Sequence, residues 1–314
     1  MQLRFNKITN GLFKLIHWPL CRAYARHIMG DNPADSVMRF LCGFQYLRVY
    51  GRWPDFMNPQ SFSEKLWSRM LHERDPLLTL ISDKFRVRDY VASRIGADHL
   101  IPLLWHGEKP EEIPFDELPE QFVIKTNHGC GYNIIVTDKE NIDRMQIINQ
   151  LEKWLSENFC QDKYIGIGWG YKNIAPHILV ELFIGEKDKP PIDFKFYCFS
   201  GQVEIATLHF DRYENHSAKA FHRDFSPFIF RPDFKQHSGE IKKPHNFEKM
   251  VSLTEALAVD FDFMRIDLYK QGDNIYFGEM TPYPAGVSGF RGFDIYKLDN
   301  VLGEKWGQRE NLIA

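Results

Sequence analysis

Two carboxylates near the end of the chain are spaced so that they can meet. In Phe263 to Gly286, FMRIDLYKQGDNIYFGEMTPYPAG, β-branched and aromatic residues run into a polar glycine turn and resume beyond it, which is the pattern of a β-hairpin. With Gly272-Asp273-Asn274 as a three-residue loop, Asp267 lies opposite Glu279 and Arg265 opposite Thr281, while Ile266 and Leu268 point to the other face. A two-residue loop would send the acids to opposite faces, because a slip of one residue inverts a strand. Like charges facing each other on a sheet repel, so the pair calls for a compensating cation, either Arg265 or a divalent ion. Magnesium suits such hard oxygen ligands and completes its shell with water and substrate phosphates.

A second stretch carries chemistry of the opposite sign. Lys125 ends the apolar run Phe122-Val123-Ile124, an odd place for a solvated lysine, and His128-Gly129-Cys130-Gly131 follows before another apolar run. Backbone N–H groups in such a loop can cradle phosphates, although a hairpin turn also wants glycines. No GKS or GKT follows the glycines and a strand rather than a helix comes next, so neither a Walker A loop nor a dinucleotide fingerprint is present. His128, His209, His216 and His222 lack metal-ligand spacing.

The elements that must hold these residues are mixed. Residues 9 to 29 read as one or two short helices broken at Pro19, with Arg4, Lys7, Lys14, Arg22 and Arg26 and no acid in the first 30 residues. That asymmetry fits a peripheral membrane or partner contact, or a packed helix with a solvated basic face. A helix from Ser36 to Tyr50 places Val37, Phe40, Leu41, Phe44 and Leu47 at core spacing and stops at Gly51. Ser61 and Glu64 form a capping box, Asp75-Pro76 opens another helix, and Ser82 onward is helical up to Gly96. From His99 the chain turns to strands: Leu100 to Trp105, Phe122 to Lys125, Tyr132 to Thr137 and Pro176 to Ile184. Asp193 to Phe199 and Gln202 to Phe210 pair across Ser200-Gly201, and helices cover residues 143 to 158, Phe247 to Val259 and Asp294 to Trp306. The fold class is α+β with a helical region 1–75; its division into a first lobe 76–184 and a second lobe 185–314 is what the family resemblance given below implies.

Composition bounds the function. With 44% hydrophobic and 26% charged residues in 314, the chain is an ordinary folded protein long enough for two lobes. A net charge of −3 and no basic-aromatic channel argue against nucleic acid. Five dispersed cysteines without a CxxC pair indicate neither a disulfide framework nor a zinc site, and the reading is a cytoplasmic protein.

Taken together, NPQSFSEKL, SDKF, IKTNHGCGYNIIV, DFKFYCF, FDRYENH and FGEMTPYPAG resemble the teichuronopeptide-biosynthesis (TupA-like) amidoligase branch of the ATP-grasp superfamily, over about residues 55 to 290. The resemblance implies a nucleotide held between two α+β lobes, with Lys84 and Lys125 on the α/β phosphates and His128, Gly129 and Gly131 in the closing loop. It further implies Glu181 and the backbone near Leu182 and Phe183 reading adenine, Asp193 contacting ribose, and Asp267 and Glu279 holding magnesium. Thr281 stands where the superfamily often has Asn, so a hydroxyl or water would complete that set. Lys195, Arg212 and Arg265 are the expected clamp on the transferred phosphoryl group, with Arg223 a weaker addition. The implied activity is an ATP-dependent joining of an amine or amino acid to a carboxylate of a cell-surface glycan precursor. The competing reading is a nucleotide-sugar glycosyltransferase in which Asp260-Phe261-Asp262 serves as a metal-binding DxD.

Overall fold

The computed structural model describes residues 36–160, 168–185, 191–210, 216–228, 235–284 and 297–307, with Pro19, Leu20 and Ala23. The basic segment 1–30 otherwise lies outside the described residues, as do Arg212 and most of FDRYENH.

Four helices come first: α1 Ser36–Tyr50, α2 Phe62–His72, α3 Pro76–Ser82 and α4 Val87–Ile95. Helix α2 starts where its capping box says it should, with Ser61 Oγ accepting from Glu64 N and the Glu64 carboxylate returning to the Ser61 N–H. Asp75 caps α3, whose first residue is Pro76. The expected continuous helix from Ser82 is broken instead at residues 83–86, because the Asp83 carboxylate draws in the Phe85 and Arg86 N–H groups and forms a local turn.

The face of α1 differs from the expectation. Met38, Cys42, Tyr46 and Tyr50 are buried, four residues apart, whereas Val37, Phe40 and Phe44 are exposed. Two apolar stripes compete on this helix, and the one carrying Tyr46 wins because its hydroxyl reaches Ser63 and Arg52 while its ring packs on Phe56 and Trp67.

Strands β1 Leu103–Gly107, β2 Phe122–Thr126, β3 Asn133–Val136 and β4 Ile178–Leu182 make an antiparallel sheet in the order β1-β4-β2-β3. Its apolar side packs on α5 Arg144–Leu155 through Ile147 and Leu151. A short helix α6, Trp169–Lys172, lies between α5 and β4.

The larger sheet has the order β10-β9-β5-β6-β7-β8, from β5 Ile192–Phe199, β6 Gln202–Phe210, β7 Ser217–His222, β8 Lys235–Gln236, β9 Phe263–Gln271 and β10 Asn274–Thr281. All its pairs are antiparallel except β7 with β8. Ser200 and Gly201 both adopt positive φ, the two-residue turn whose twist matches that of the strands it joins.

The two faces of this sheet are chemically distinct. Phe194, Phe196, Leu208, Ile266, Leu268 and Met280 enter a core with helix α7, Phe247–Ala258, and with Leu78, Ile81, Val87 and Val91 of α3 and α4. On the opposite face, Phe199, Ile205 and Phe263 are covered by α2 and by Trp306, which follows α8 Lys297–Lys305. Only the apolar end of that face is used for packing. The remainder carries charge.

Candidate active site

The hairpin β9–β10 answers the register question in an unexpected way. Its loop has two residues, since Gln271 pairs with Asn274, and Gly272 at its first position takes φ +56. That corrects the expected three-residue turn, and without compensation the acids would diverge. Between Phe277 and Glu279, however, the ladder carries a β-bulge at Gly278, which absorbs one residue and restores Glu279 opposite Asp267 and Thr281 opposite Arg265. Glycine is needed there: a Cβ on Gly278 would stand 3.0 Å from the Asp267 carbonyl oxygen and 2.8 Å from the Tyr269 ring.

Strand pairing then lays the side chains out in rows. Thr207, Lys195, Asp267 and Glu279 are successive partners across β6, β5, β9 and β10, and Ile205, Tyr197, Arg265 and Thr281 form the neighbouring row. Lys195 Nζ donates to Asp267 Oδ2 and reaches Asp193 Oδ2 at 2.7 Å. Arg265 donates from Nε to Asp267 Oδ1 at 2.7 Å and from Nη2 to Asp267 Oδ2 at 2.8 Å, Thr281 Oγ1 at 2.9 Å and the Glu279 carboxylate. Asp193, Lys195, Arg265, Asp267 and Thr281 are all buried. Burial opposes the Arg265 charge, but Asp267 and then Glu279 outweigh it and hold the guanidinium well above its ordinary pKa.

On the smaller sheet Lys125 Nζ meets Glu181 Oε2 at 2.6 Å, and Arg88 of α4 reaches Glu181 Oε1 at 3.0 Å. The Glu181 carboxylate is thus taken by two cations, and the Leu182 N–H bonds to Pro102 O. Phe183 is buried just beyond. Lys84 follows α3 and donates to Gly129 O in the glycine loop. Burial presses the Lys84 pKa below its ordinary value, and Glu279 is the largest charge acting against that shift.

The loop is held by Asn127. Its Nδ2 donates to Asp83 Oδ1 at 3.0 Å and Ala175 O at 2.9 Å, and its Oδ1 accepts from His177 N at 2.7 Å. A Cβ at Gly129 would fall 2.5 Å from the Tyr132 ring, and Gly131 has φ +77, so the first glycine makes room for a ring and the second is dictated by its backbone. His128 is buried with Nε2 at 3.0 Å from Trp154 O, and burial holds its pKa below the usual imidazole value. His128 Nδ1 and Thr126 Oγ1 are buried polar atoms with no hydrogen-bond partner among the described residues.

A family model described as TupA-like ATP-grasp matches residues 64–306. The chain belongs to the TupA-like ATP-grasp family. Its fold is similar to that of ATP-grasp ligase PsnB complexed with a minimal precursor, at TM-score 0.40 and 13% identity, covering 73% of this chain and 61% of that one. D-alanine–D-alanine ligase from Bacillus anthracis complexed with ATP gives TM-score 0.39 and 14% identity over 74% of this chain and 69% of that one. D-cycloserine synthetase DcsG gives 0.40 and 14% over 74% and 72%. The chain spans 61% of the length of the PsnB chain it matches. No protein of curated function matches it.

Within this TupA-like ATP-grasp chain, the acids of the DxD segment are engaged elsewhere. Asp260 is bound by Arg94 and Tyr90, whereas Asp262 accepts from Arg69 and from Trp306 Nε1 at 2.6 Å. The two carboxylates therefore serve different contacts and do not converge on one metal. Arg223 forms an exposed bidentate pair with Glu255 of α7 and does not join the cluster. His209 Nδ1 lies 2.9 Å from His216 Nε2, one strand beyond Asp193. Among the described residues no three His, Cys, Asp or Glu side chains are grouped as a metal site.

Sequence reasoning passed over Arg88, Asp83 and Asn127. Arg88 sits in a helix at a position that reads as solvated. Asn127 opens the glycine loop, and an amide beside glycines was the signal available for a loop-fixing residue.

Proposed function

We propose that the protein is an ATP-dependent carboxylate–amine ligase that forms an amide through an acylphosphate, acting on a carboxylate of a cell-surface polysaccharide precursor. The observation that carries this reading is the row Lys195–Asp267–Glu279, its first two members buried, bridged by Arg265, together with Lys84 donating to the glycine loop at Gly129. Membership of the TupA-like ATP-grasp family supports the reaction class, and resemblance to the teichuronopeptide branch supports a uronic acid as the acid partner.

The donors present fit magnesium and a nucleotide. Asp267 and Glu279, with the Thr281 hydroxyl or a water, would hold the metal; two carboxylates suffice when phosphate oxygens complete the shell. Bound there, magnesium supplies Lewis-acid polarisation of the phosphate oxygens. Lys84, Lys125 and the loop at His128, Gly129 and Gly131 would take the phosphates, and the unpartnered Thr126 Oγ1 and His128 Nδ1 are polar atoms that such a ligand can satisfy. Glu181 orients Lys125, Leu182 and Phe183 flank the base, and Asp193 contacts the ribose.

Lys195, Arg265 and Arg212 would neutralise the approach of a carboxylate to the γ-phosphate, which otherwise brings two anions together. The carboxylate oxygen bonds to phosphorus as ADP departs. The amine nitrogen then bonds to the acyl carbon, the carbon–oxygen bond breaks, phosphate leaves with the electron pair and the nitrogen sheds its proton. No covalent enzyme intermediate is required. In the proposed division, residues 1–75 are the helical region and the lobes are 76–184 and 185–314, although α3 and α4 lend side chains to the core of the larger sheet.

The test is phosphate release by purified protein given magnesium-ATP, uronic-acid oligosaccharides and amino acids. Release is expected only when acid and amine are both present, with a product of their combined mass less water. Product formed without ATP overturns the reading.

A further inference from the structure

Helix α1 leaves a face unused. Its inner stripe packs on α2, and its outer stripe of Val37, Phe40 and Phe44 meets Trp53 in a single raised patch. Phe40 is 56% exposed and Trp53 49%, and Met57 beside them is 70% exposed. The patch is built rather than incidental. Gly43 lets the indole lie flat on the helix, since a Cβ there would come within 2.6 Å of Trp53 Cζ2. Phe44 packs edge-on against Phe40 at 4.9 Å and against Trp53 at 5.4 Å. Arg39 is anchored at the margin by a hydrogen bond of 3.0 Å to Met57 Sδ.

Of the arginines near this patch, Arg39 and Arg48 lie on α1, whereas Arg52 is paired with Glu64 and lies 3.8 Å from Asp299, and Asp55 follows. In the sequence, residues 1–35 hold Arg4, Lys7, Lys14, Arg22 and Arg26 against Asp31 and Asp35. The chain as a whole is net −3, so the excess of positive charge is concentrated at this end.

We propose that the outer face of α1, led by Phe40, Phe44 and Trp53, seats the protein on an anionic lipid surface. Aromatic rings with arginines at their margin are the composition that enters the headgroup boundary, where the rings are buried and the cations meet phosphate. A second copy is a poorer occupant, because a two-fold contact would set the same positive patch against itself. Single-stranded nucleic acid is also poorer, since the rings pack edge to face and offer no open stacking platform. No described helix is long and apolar enough to cross a membrane, so the contact is peripheral. The inference does not rest on the proposed reaction.

The experiment is co-sedimentation of the full chain with vesicles of phosphatidylcholine alone and of phosphatidylcholine with phosphatidylglycerol, at low and high salt. Binding is expected only to the anionic vesicles, weakening with salt. The variant Phe40→Ser/Phe44→Ser/Trp53→Ser should lower the partition coefficient by ~tenfold or more, as expected when exposed apolar area no longer enters the interface. A melting curve checks folding, and Phe40→Ser alone gives the same direction of change if the triple variant melts early. Absence of vesicle binding overturns the proposal, as does anionic binding that these variants leave unchanged, which would place the contact in residues 1–30 alone. Light scattering that shows a dimer dispersed by the variants would assign the patch to a second copy and also overturn it.

Discussion

The two sheets carry charged clusters of opposite surplus. On the smaller sheet Lys125 and Arg88 share the single carboxylate of Glu181, with Lys84 close by, so formal positive charge is in excess. On the larger sheet Asp193, Asp267 and Glu279 face Lys195 and Arg265, and negative charge is in excess. Each cluster is held together by ion pairs yet left unbalanced, the first positive and the second negative. An anion would complete the first and a cation the second, which is the pair of charges that a metal-bound nucleotide brings together.

Breaking the acidic side should have the largest effect. Asp267→Asn with Glu279→Gln is expected to weaken magnesium-dependent binding of a non-hydrolysable ATP analogue by ~100-fold or more, read by calorimetry with and without metal. Asp267→Ala should in addition cost about 1.5–3 kcal/mol in denaturant unfolding, because it removes a buried acceptor shared by Lys195 and Arg265 and leaves them Asp193, Glu279 and Thr281.

Breaking the basic side should be milder and differently distributed. Lys125→Met should weaken the nucleotide by ~10–100-fold, the worth of one charge-assisted hydrogen bond, while leaving the response to magnesium in place. If instead it abolished the magnesium response, the two clusters would not be separable.

The bulge links the comparison to backbone geometry. Gly278→Val should cost about 1–3 kcal/mol, since its side chain meets the Asp267 carbonyl and the Tyr269 ring, and thermal unfolding reads it directly. The smallest effect concerns His128. Burial keeps its folded pKa below the ordinary imidazole value, so the unfolded chain takes up a proton first as pH falls. Stability is therefore lost on acidification from about pH 6.5 downward and levels off beneath the depressed folded value. His128→Gln should flatten that part of a melting-temperature profile.

How far the sequence disclosed this arrangement depended on whether a pattern had one solution. The Ser200-Gly201 hairpin and the Ser61–Glu64 cap were legible because the turn and cap chemistry each admit a single geometry. The Asp267–Glu279 pairing was legible for an imperfect reason: the loop is a residue shorter than expected, and the missing residue reappears at Gly278, a glycine inside a strand whose association with bulges was the available clue. Helix α1 was legible in extent and not in facing, since both stripes are apolar and only tertiary partners choose between them. The burial of Arg88 and Lys195 was not legible, because a cation's burial depends on which carboxylate folds against it, and Glu181 and Asp267 lie far away along the chain.

The last described helix has a consequence for the order in which the molecule can assemble. Helix α8 closes on the start of α2: Asp299 accepts from Ser63 N and Oγ, Lys65 Nζ donates to Gly303 O, and Gly303 packs against the backbone at Gln60 and Ser61. Trp306 stacks on Phe263 and lies over the buried Arg69 guanidinium. Helix α2 thus waits for side chains some 236 residues further along the chain, and until they arrive Phe62 and Arg69 lack their cover. Such long-range closure slows folding, and it makes a ribosome-bound chain stopped before residue 297 a target for chaperones rather than a shorter version of the same protein.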